Sequence, residues 1–532
     1  MRDFHRPGRS AAIGRDAMIA TAHPLATAAG LDMLRRGGNA VDAAIAAAAV
    51  LGVVEPEQSG IGGDSYALIC PRGGSEVIAL DGAGWAPAAA TAEAYRRLGL
   101  ATVPFEGPHS VTVPGAVDAW CMLARDLGTL PMGELLAPAI GYAEDGHPIH
   151  ERVAYDWKTC AARLQLDPHT RRIHLPGGRP PETGEIFRQP ELARTLKRIA
   201  AEGRDGFYQG AVARDMVGYL NKLGGLHSLD DFAAYRACYV SPIRSAYRGL
   251  DLYQCPPSGQ GFAALLLLNI IAALDWPELR GADAAPLSAI RLHALAEAAK
   301  LAYRARDQAV GDDPRSHELV ARQLTSDHAF SLARGIDRRR ASDLPVPGPV
   351  PSNTTYLCVV DRARTVVSFI NSVYQSYGSA ITAPESGVVL QDRAAGFRLI
   401  DGHPNCIGPR KRPFHTIIPG LAMKNGKPVL AYGMVGGHFQ PFGQAWLLAN
   451  WHDFGLDPQA AVDLPRAFSF GEGYRLERGI PETVAQELAA MGHTPVRWEL
   501  PLGGAQMIEL DQQANTLIGG SDARADGVAI GF

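Results

Sequence analysis

The sharpest change in the pattern of apolar and polar positions lies just before residue 354. Residues 344–351 alternate proline with small or apolar residues, and four of these eight positions are proline. Proline removes a backbone donor and fixes φ, so neither a helix nor the interior of a sheet accepts such a run. Residues 356–361 then form a β-branched and aromatic run that is typical of a buried strand. The pattern predicts an exposed linker over 335–353 that leads directly into a strand.

The remaining pattern predicts mostly helices before this linker and mostly strands after it. Residues 28–52 predict two helices separated at Gly37 and Gly38, with Asn39 as the N-cap of the second. Residues 66–70 and 76–80 predict a hairpin. Later segments are predicted as helices from about 115 to 310, as strands over 357–360, 366–370, 387–390, 421–423 and 429–432, and as a helix over 442–453. This order favours two sheets packed under helices.

Composition excludes several classes of function. The 532 residues are 46% apolar and 20% charged, with a net charge of −4, which is ordinary for a globular protein and gives no reason to expect nucleic-acid binding. The apolar runs 43–54 and 262–274 are too short or too interrupted to span a bilayer. We therefore expect neither nucleic acid nor a membrane as a partner.

Location and cofactors follow from the N-terminus and the cysteines. The first ten residues are charged and have no apolar core of a secretory signal. Seven cysteines occur without CxxC or Cys/His ligand spacing, which fits reduced thiols. The sequence predicts a cytoplasmic protein that needs no cofactor and no metal.

Thr354 is the candidate nucleophile. If the Asn353–Thr354 bond is cut, Thr354 carries a hydroxyl and a free α-amine on one residue. That amine, with an ordinary pKa of about 8, can act as general base for its own hydroxyl. An ordinary junction between a loop and a strand would have the same local pattern, since threonine is common at strand starts.

Motifs along nearly the whole chain favour the catalytic interpretation. They are residues 18–26 (MIATAHPLA), 37–44 (GGNAVDAA), 60–63 (GIGG), 80–81 (LD), 113–115 (VPG), 247–249 (YRG), 256–258 (PPS), 294–300 (ALAEAAK), 385–387 (ESG), 404–405 (PN), 408–413 (GPRKRP), 436–437 (GG) and 520–522 (GSD). In this order and spacing the sequence resembles the γ-glutamyltransferase family of N-terminal-nucleophile hydrolases, with Thr354 at the family's nucleophile position.

The resemblance implies an α+β fold, the four-layer αββα sandwich, assembled from two autoproteolytic fragments. Residues 1–353 would form the large fragment, with a helical lobe and the linker, and residues 354–532 the small one; the two would stay associated. The backbone N–H groups of Gly436 and Gly437 would form the oxyanion hole. Ser372 stands where the family usually has a second threonine that hydrogen-bonds the nucleophile, so a hydroxyl is retained.

The sequence departs from the family at the groups that hold a γ-glutamyl substrate. Ala92 replaces the arginine that binds its α-carboxylate, and Tyr374 and Gly396 stand where an asparagine and an acidic residue bind its α-amine. Arg96 or Arg97, one helical turn later, could compensate in part.

His415 and Thr416 replace the family's serine pair. With Tyr374, Gln375 and His438 they predict a smaller substrate pocket with neutral or weakly cationic donors.

We interpret the chain as a self-processing amidohydrolase that releases ammonia from a small amide carrying a carboxylate, similar to the oxamate amidohydrolases of the family. The alternatives are a γ-glutamyl transpeptidase or glutathione hydrolase with a divergent clamp, a cephalosporin-type acylase, and an unprocessed binding protein that has kept the scaffold without chemistry. The sequence leaves open the physiological substrate, transfer to an acceptor and homo-oligomerisation.

Overall fold

The computed structural model describes residues 8–281, 284–344, 354–471 and 473–532. The predicted cleavage residue Asn353 and the prolines of the linker lie outside the described residues.

Helices and strands alternate along the described chain. The helices are α1 (Pro24–Arg35), α2 (Ala40–Val54), α3 (Ala92–Arg97), α4 (Ala116–Leu127), α5 (Met132–Glu144), α6 (Glu151–Cys160), α7 (Pro168–His174), α8 (Pro190–Glu202), α9 (Asp205–Tyr208), α10 (Gly210–Lys222), α11 (Leu229–Ala234), α12 (Gly261–Ala273), α13 (Ala289–Ala309), α14 (Pro314–Gln323), α15 (Ser326–Ala333), α16 (Gln440–His452), α17 (Pro458–Asp463) and α18 (Glu482–Ala490). The strands are β1 (Ala12–Gly14), β2 (Met18–Thr21), β3 (Asp64–Cys70), β4 (Ile78–Gly82), β5 (His147–Pro148), β6 (Ile186–Phe187), β7 (Cys238–Val240), β8 (Ile243–Tyr247), β9 (Leu250–Gln254), β10 (Thr355–Val360), β11 (Val366–Ser372), β12 (Ile381–Thr382), β13 (Val389–Leu390), β14 (Gly420–Lys424), β15 (Lys427–Met434), β16 (Ala467–Phe470), β17 (Gly473–Leu476), β18 (Pro495–Arg497), β19 (Ala505–Asp511), β20 (Thr516–Ser521) and β21 (Val528–Gly531).

Two seven-stranded sheets form the centre of the molecule. One has the order β1-β20-β19-β15-β14-β9-β8, and the other has the order β21-β2-β10-β11-β3-β4-β7. The predicted hairpin is confirmed, because β3 and β4 pair antiparallel. The predicted N-cap is confirmed as well: the side chain of Asn39 accepts from the N–H groups of Val41 and Asp42 at the start of α2.

The sheets stack face to face between two layers of helices, as expected for an αββα sandwich. Strand β10 shows the layers directly. Tyr356 and Cys358 belong to the core between the sheets, whereas Leu357 and Val359 belong to the core under helices that include α1, α2 and α4. Alternate side chains of a strand point to opposite faces, so a strand covered on both faces is apolar throughout. The outer face of the other sheet packs against helices that include α12, α13 and α16.

Strands from both sides of residue 354 are interleaved within each sheet. In one sheet, β10 and β11 lie between β2 and β3; in the other, β14 lies beside β9, and β20 lies beside β1. Neither part of the chain therefore contains a complete sheet. Within the described residues, the structure has no helix whose length and apolar character suit a membrane span.

Candidate active site

Strand register brings three polar side chains to one end of neighbouring strands. Thr355 pairs with Asn371 between β10 and β11, so Thr354 arrives next to Ser372. On the other side of β11, Ser372 pairs with Asp64, the first residue of β3. These residues lie far apart in sequence, and antiparallel pairing alone brings them together.

Thr354 and Ser372 form a hydroxyl pair. Their Oγ1 and Oγ atoms are 3.0 Å apart, and both residues are fully buried. The Ser372 hydroxyl also accepts a hydrogen bond of 2.9 Å from the N–H of Tyr374. The structure thus brings together the predicted nucleophile and the predicted second hydroxyl; their catalytic roles stay predictions.

Arg393 is a neighbour of the hydroxyl pair that the sequence analysis missed. Its Nη2 donates to the Ser372 hydroxyl at 3.2 Å and its Nη1 donates to the Thr416 hydroxyl at 2.8 Å. The guanidinium is fully buried, lies 4.1 Å from the centre of the Tyr374 ring, and its Nε has no hydrogen-bond partner among the described residues. Burial lowers the pKa of Arg393 from its usual range. A buried cation with unused donors is suited to binding an anionic group.

His415 is held by Asp64 in the interior. Its Nε2 lies 2.9 Å from Asp64 Oδ2, and its Nδ1 accepts from the N–H of Ile417 at 3.4 Å, so the proton is on Nε2. Burial and the charge of Arg393 lower the pKa of His415 well below its usual range, which keeps the ring neutral. Burial raises the pKa of Asp64 to about 6, although Arg393 and several hydrogen-bond donors oppose this shift.

Gly436 and Gly437 form a turn that requires glycine. Their φ angles are 112° and 57°, in the left-handed region that favours glycine. Gln260 Nε2 donates to the carbonyl oxygens of Gly437 at 2.8 Å and of Thr416 at 2.7 Å. Because Thr416 also accepts from Arg393, this network connects the glycine pair to the hydroxyl pair.

A cleft of about 270 Å³ lies beside these groups. Tyr374, Gly396 and His438 are among its lining residues. His438 Nδ1 lies 3.0 Å from Arg306 Nη1 and accepts its hydrogen bond, and burial together with Arg306 lowers the pKa of His438 well below its usual range. His438 is thus a neutral ring at the cleft wall. Tyr374 has a φ of 81°, and its ring both contacts Arg393 and lines the cleft.

Gln375, predicted to bind substrate, has protein partners for its amide oxygen and its backbone. Its Oε1 accepts from Arg163 Nη1 at 2.7 Å, and its N–H donates to Asp392 Oδ1 at 3.0 Å. Burial raises the pKa of Asp392 to about 7, against the opposing charge of Arg163. Gln375 therefore holds a loop in place, and its side chain does not line the cleft.

The two arginines considered as replacements for the predicted carboxylate clamp both form ion pairs at the surface. Arg96 donates to Asp401 at 2.9 Å and Arg97 pairs with Glu93 at 2.9 Å. At Gly396, a Cβ atom would lie 2.7 Å from the carbonyl oxygen of Phe414, so an acidic side chain would not fit without a backbone shift. Neither arginine lines the cleft, and the loss of the γ-glutamyl clamp stays a prediction.

Comparisons with known proteins identify the family of the chain. Residues 26–532 match the sequence model of the family described as Gamma-glutamyltranspeptidase. The chain is 36% identical to the "Glutathione hydrolase-like YwrD proenzyme" of Bacillus subtilis (98% of this chain, 99% of the relative). It is 34% identical to the "Oxamate amidohydrolase proenzyme" of Klebsiella pneumoniae (98% and 100%).

The structure is similar to a solved cephalosporin acylase from Bacillus halodurans, with a TM-score of 0.92 at 36% identity over 100% of this chain and 99% of that one. This likeness confirms the αββα sandwich of an N-terminal-nucleophile hydrolase. The family match and the named hydrolases show that the protein is an enzyme of the amidohydrolase type. The chain belongs to the γ-glutamyltranspeptidase family.

Proposed function

We propose that the protein is a self-processing amidohydrolase in which Thr354 attacks a small amide that carries a carboxylate next to the scissile bond, with ammonia as the leaving group. Cleavage before Thr354 would free the α-amine that serves as its base. Gly436 and Gly437 would supply N–H donors to the tetrahedral oxyanion. The proteins named as proenzymes among the relatives support a maturation step of this kind.

The position of Arg393 carries the substrate proposal. Its Nη2 lies one hydrogen bond from Ser372, which lies one hydrogen bond from Thr354. A carboxylate bound by Arg393 would therefore sit close to the attacked carbonyl carbon. In an oxamate-like substrate the carboxylate is bonded directly to that carbon, whereas in a γ-glutamyl substrate three further carbons separate the two groups.

The cleft favours a second class of substrate, amides that carry an apolar acyl group. Its wall includes the aromatic side chains of Phe105, Tyr374, Phe397 and Phe414. Such a surface suits the apolar part of an acyl group. The likeness to a cephalosporin acylase supports this alternative.

The test compares kcat/KM for oxamate, glutathione and a cephalosporin side-chain amide on one preparation of processed enzyme. We expect oxamate to exceed glutathione by at least about tenfold, because γ-glutamyl binding would lack partners for its charges. Arg393→Gln should lower kcat/KM for oxamate by about 10–100-fold, since a charge-assisted hydrogen bond is lost.

Arg96→Gln is the matched control, because it removes the arginine that the alternative clamp would need. We expect this variant to have the wild-type kcat/KM for all three substrates. Glutathione preferred by tenfold or more, or a loss of activity in Arg96→Gln but not in Arg393→Gln, would contradict the proposal and support a γ-glutamyl enzyme. Preference for the cephalosporin amide would support the acylase.

A further inference from the structure

A second cluster of polar side chains lies away from the hydroxyl pair. His293 and Glu297 are one turn apart on α13, and His493 lies shortly after α18. All three are buried, with 0%, 3% and 9% of their surface exposed. One nitrogen or oxygen atom from each lies within 4.8 Å of the others. Nothing in the reaction proposed for Thr354 uses these groups.

Hydrogen bonds fix which nitrogen of His293 carries the proton. Its Nε2 lies 2.8 Å from the backbone carbonyl oxygen of Asp337, which can only accept, so Nε2 is the N–H. Its Nδ1 therefore presents a lone pair, and His493 Nε2 lies 2.8 Å from it. A histidine whose outer N–H is held by a carbonyl while the other nitrogen faces inward has the arrangement found in metal-binding histidines.

Glu297 completes the cluster with a fixed carboxylate. Its Oε1 accepts from Lys300 Nζ at 2.7 Å, and its Oε2 accepts from the N–H of Ser342 at 3.0 Å. Each carboxylate oxygen has a second lone pair. Lys300 offsets the charge of the carboxylate, so two neutral imidazoles provide most of the attraction for a cation. This ligand set suits zinc, which prefers nitrogen, over magnesium or calcium, which need oxygen ligands.

The cluster is remote from the candidate active site and joins the two parts of the chain. Thirteen residues of α13 separate His293 from Arg306, the partner of His438, which corresponds to about 20 Å along the helix. His293 and Glu297 precede the predicted cleavage site, and His493 follows it. Asp337 and Ser342, which orient two of the ligands, lie just before the proline-rich run 344–351.

We propose that His293, Glu297 and His493 bind one zinc ion, which links the segments before and after Thr354. Zinc would take the place of the proton between the two imidazoles. At Zn–N distances of about 2.0–2.1 Å the two nitrogens must move apart by roughly 0.5 Å from their hydrogen-bonded separation. The proton on His493 Nε2 would move to Nδ1 of the same ring through solvent, and water would fill the fourth position.

The test is isothermal titration of the purified, chelator-treated full-length protein with zinc chloride, together with its metal content by mass spectrometry. We expect one zinc ion per chain with a Kd of about 1 µM or tighter. His493→Gln keeps an amide N–H that can donate to His293 but lacks the imidazole ligand. It should weaken zinc binding by at least about 100-fold. Zinc should raise the Tm of the wild type but not that of His493→Gln.

His317→Gln is the control, because it makes the same change at an exposed histidine of α14 and should bind zinc as the wild type does. Wild-type protein that binds no zinc at about 100 µM overturns the proposal, whatever the variants do. Equal binding by His493→Gln and the wild type also overturns it, since zinc would then lie elsewhere. If His493→Gln does not fold, Glu297→Gln takes its place in the same comparison.

Discussion

At the scale of single residues, the oxyanion hole predicted at Gly436 and Gly437 depends on backbone conformation. Gly437 has a φ of 57°, and its carbonyl oxygen is held by Gln260. Proline fixes φ near −65°, so Gly437→Pro would change the turn as well as remove the N–H. A decisive test of the oxyanion hole has to remove the N–H and leave the backbone conformation unchanged.

Replacing residue 437 with glycolic acid, which exchanges the amide N–H for an ester oxygen, meets this requirement. We expect kcat to fall by about 10²–10³-fold, the usual cost of losing one oxyanion donor. The same replacement at Gly426, in an exposed turn with a φ of 73°, serves as the control and should leave kcat unchanged. Near-normal turnover of the folded, processed 437 ester would exclude this N–H as a donor.

Site residues could be predicted where the neighbouring sequence indicates a chemical role, and not where the role depends on contacts with distant residues. Thr354 after a proline-rich run and a glycine pair after a strand both carry such meaning. Arg393 lies in a short turn over Arg393–Gly396, and no spacing connects it with Ser372 or Thr416. Its role depends on long-range register and burial, which one sequence does not reveal. The contact of Gln375 with substrate stays a prediction, and nothing local in the sequence could show that its amide oxygen accepts a hydrogen bond from Arg163.

At the scale of elements, close backbone approach fixes the end of β11 against the loop before β3. A Cβ added at Gly63 would lie 2.3 Å from the carbonyl oxygen of Ser372. At Gly60, three residues earlier, the nearest atom to an added Cβ is Val373 Cγ1 at 3.9 Å. Apolar periodicity predicted β3, β4, β10, β11, β14 and β15, but it missed β7, β8 and β9, which lie in the stretch predicted as helical. The pairing of β3 with β11 joins distant parts of the chain and has no local signal.

Gly63→Ala should therefore destabilise the protein and displace Ser372, whereas Gly60→Ala should be tolerated. Overpacking of this kind typically costs about 1–3 kcal/mol. Urea unfolding of both variants measures the free energy of unfolding, and the rate of self-cleavage reports on the position of Ser372. Equal stability and equal cleavage rates in the two variants would contradict the importance of this close approach.

At the scale of the whole molecule, the interleaved strands determine what cleavage can do. We expect the chain to be cut between Asn353 and Thr354 while the two fragments remain in one particle, because each sheet takes strands from both. Denaturing electrophoresis should show two bands, and size-exclusion chromatography should show one species. Sequencing of the smaller fragment should begin Thr-Thr-Tyr-Leu.

Thr354→Ala should abolish both cleavage and turnover, since both need the hydroxyl. Thr355→Ala is a matched control: the neighbouring threonine donates to the carbonyl oxygen of Asn371 and should be dispensable for cleavage. Full activity from a single uncut chain would rule out the self-processing mechanism.

Because β10 and β11 lie between β2 and β3, the refolding of the molecule depends on whether the chain has already been cut. Before the cut, the pairing partners belong to one chain, so their effective concentration does not depend on the concentration of the protein. After the cut they would have to find each other by diffusion, so refolding changes from a first-order to a second-order process. Dilute mature enzyme that unfolds would then recover slowly, whereas its precursor would refold at a rate independent of concentration. Cleavage before Thr354 would thus act as a one-way step, activating a fold that only the intact chain assembles efficiently.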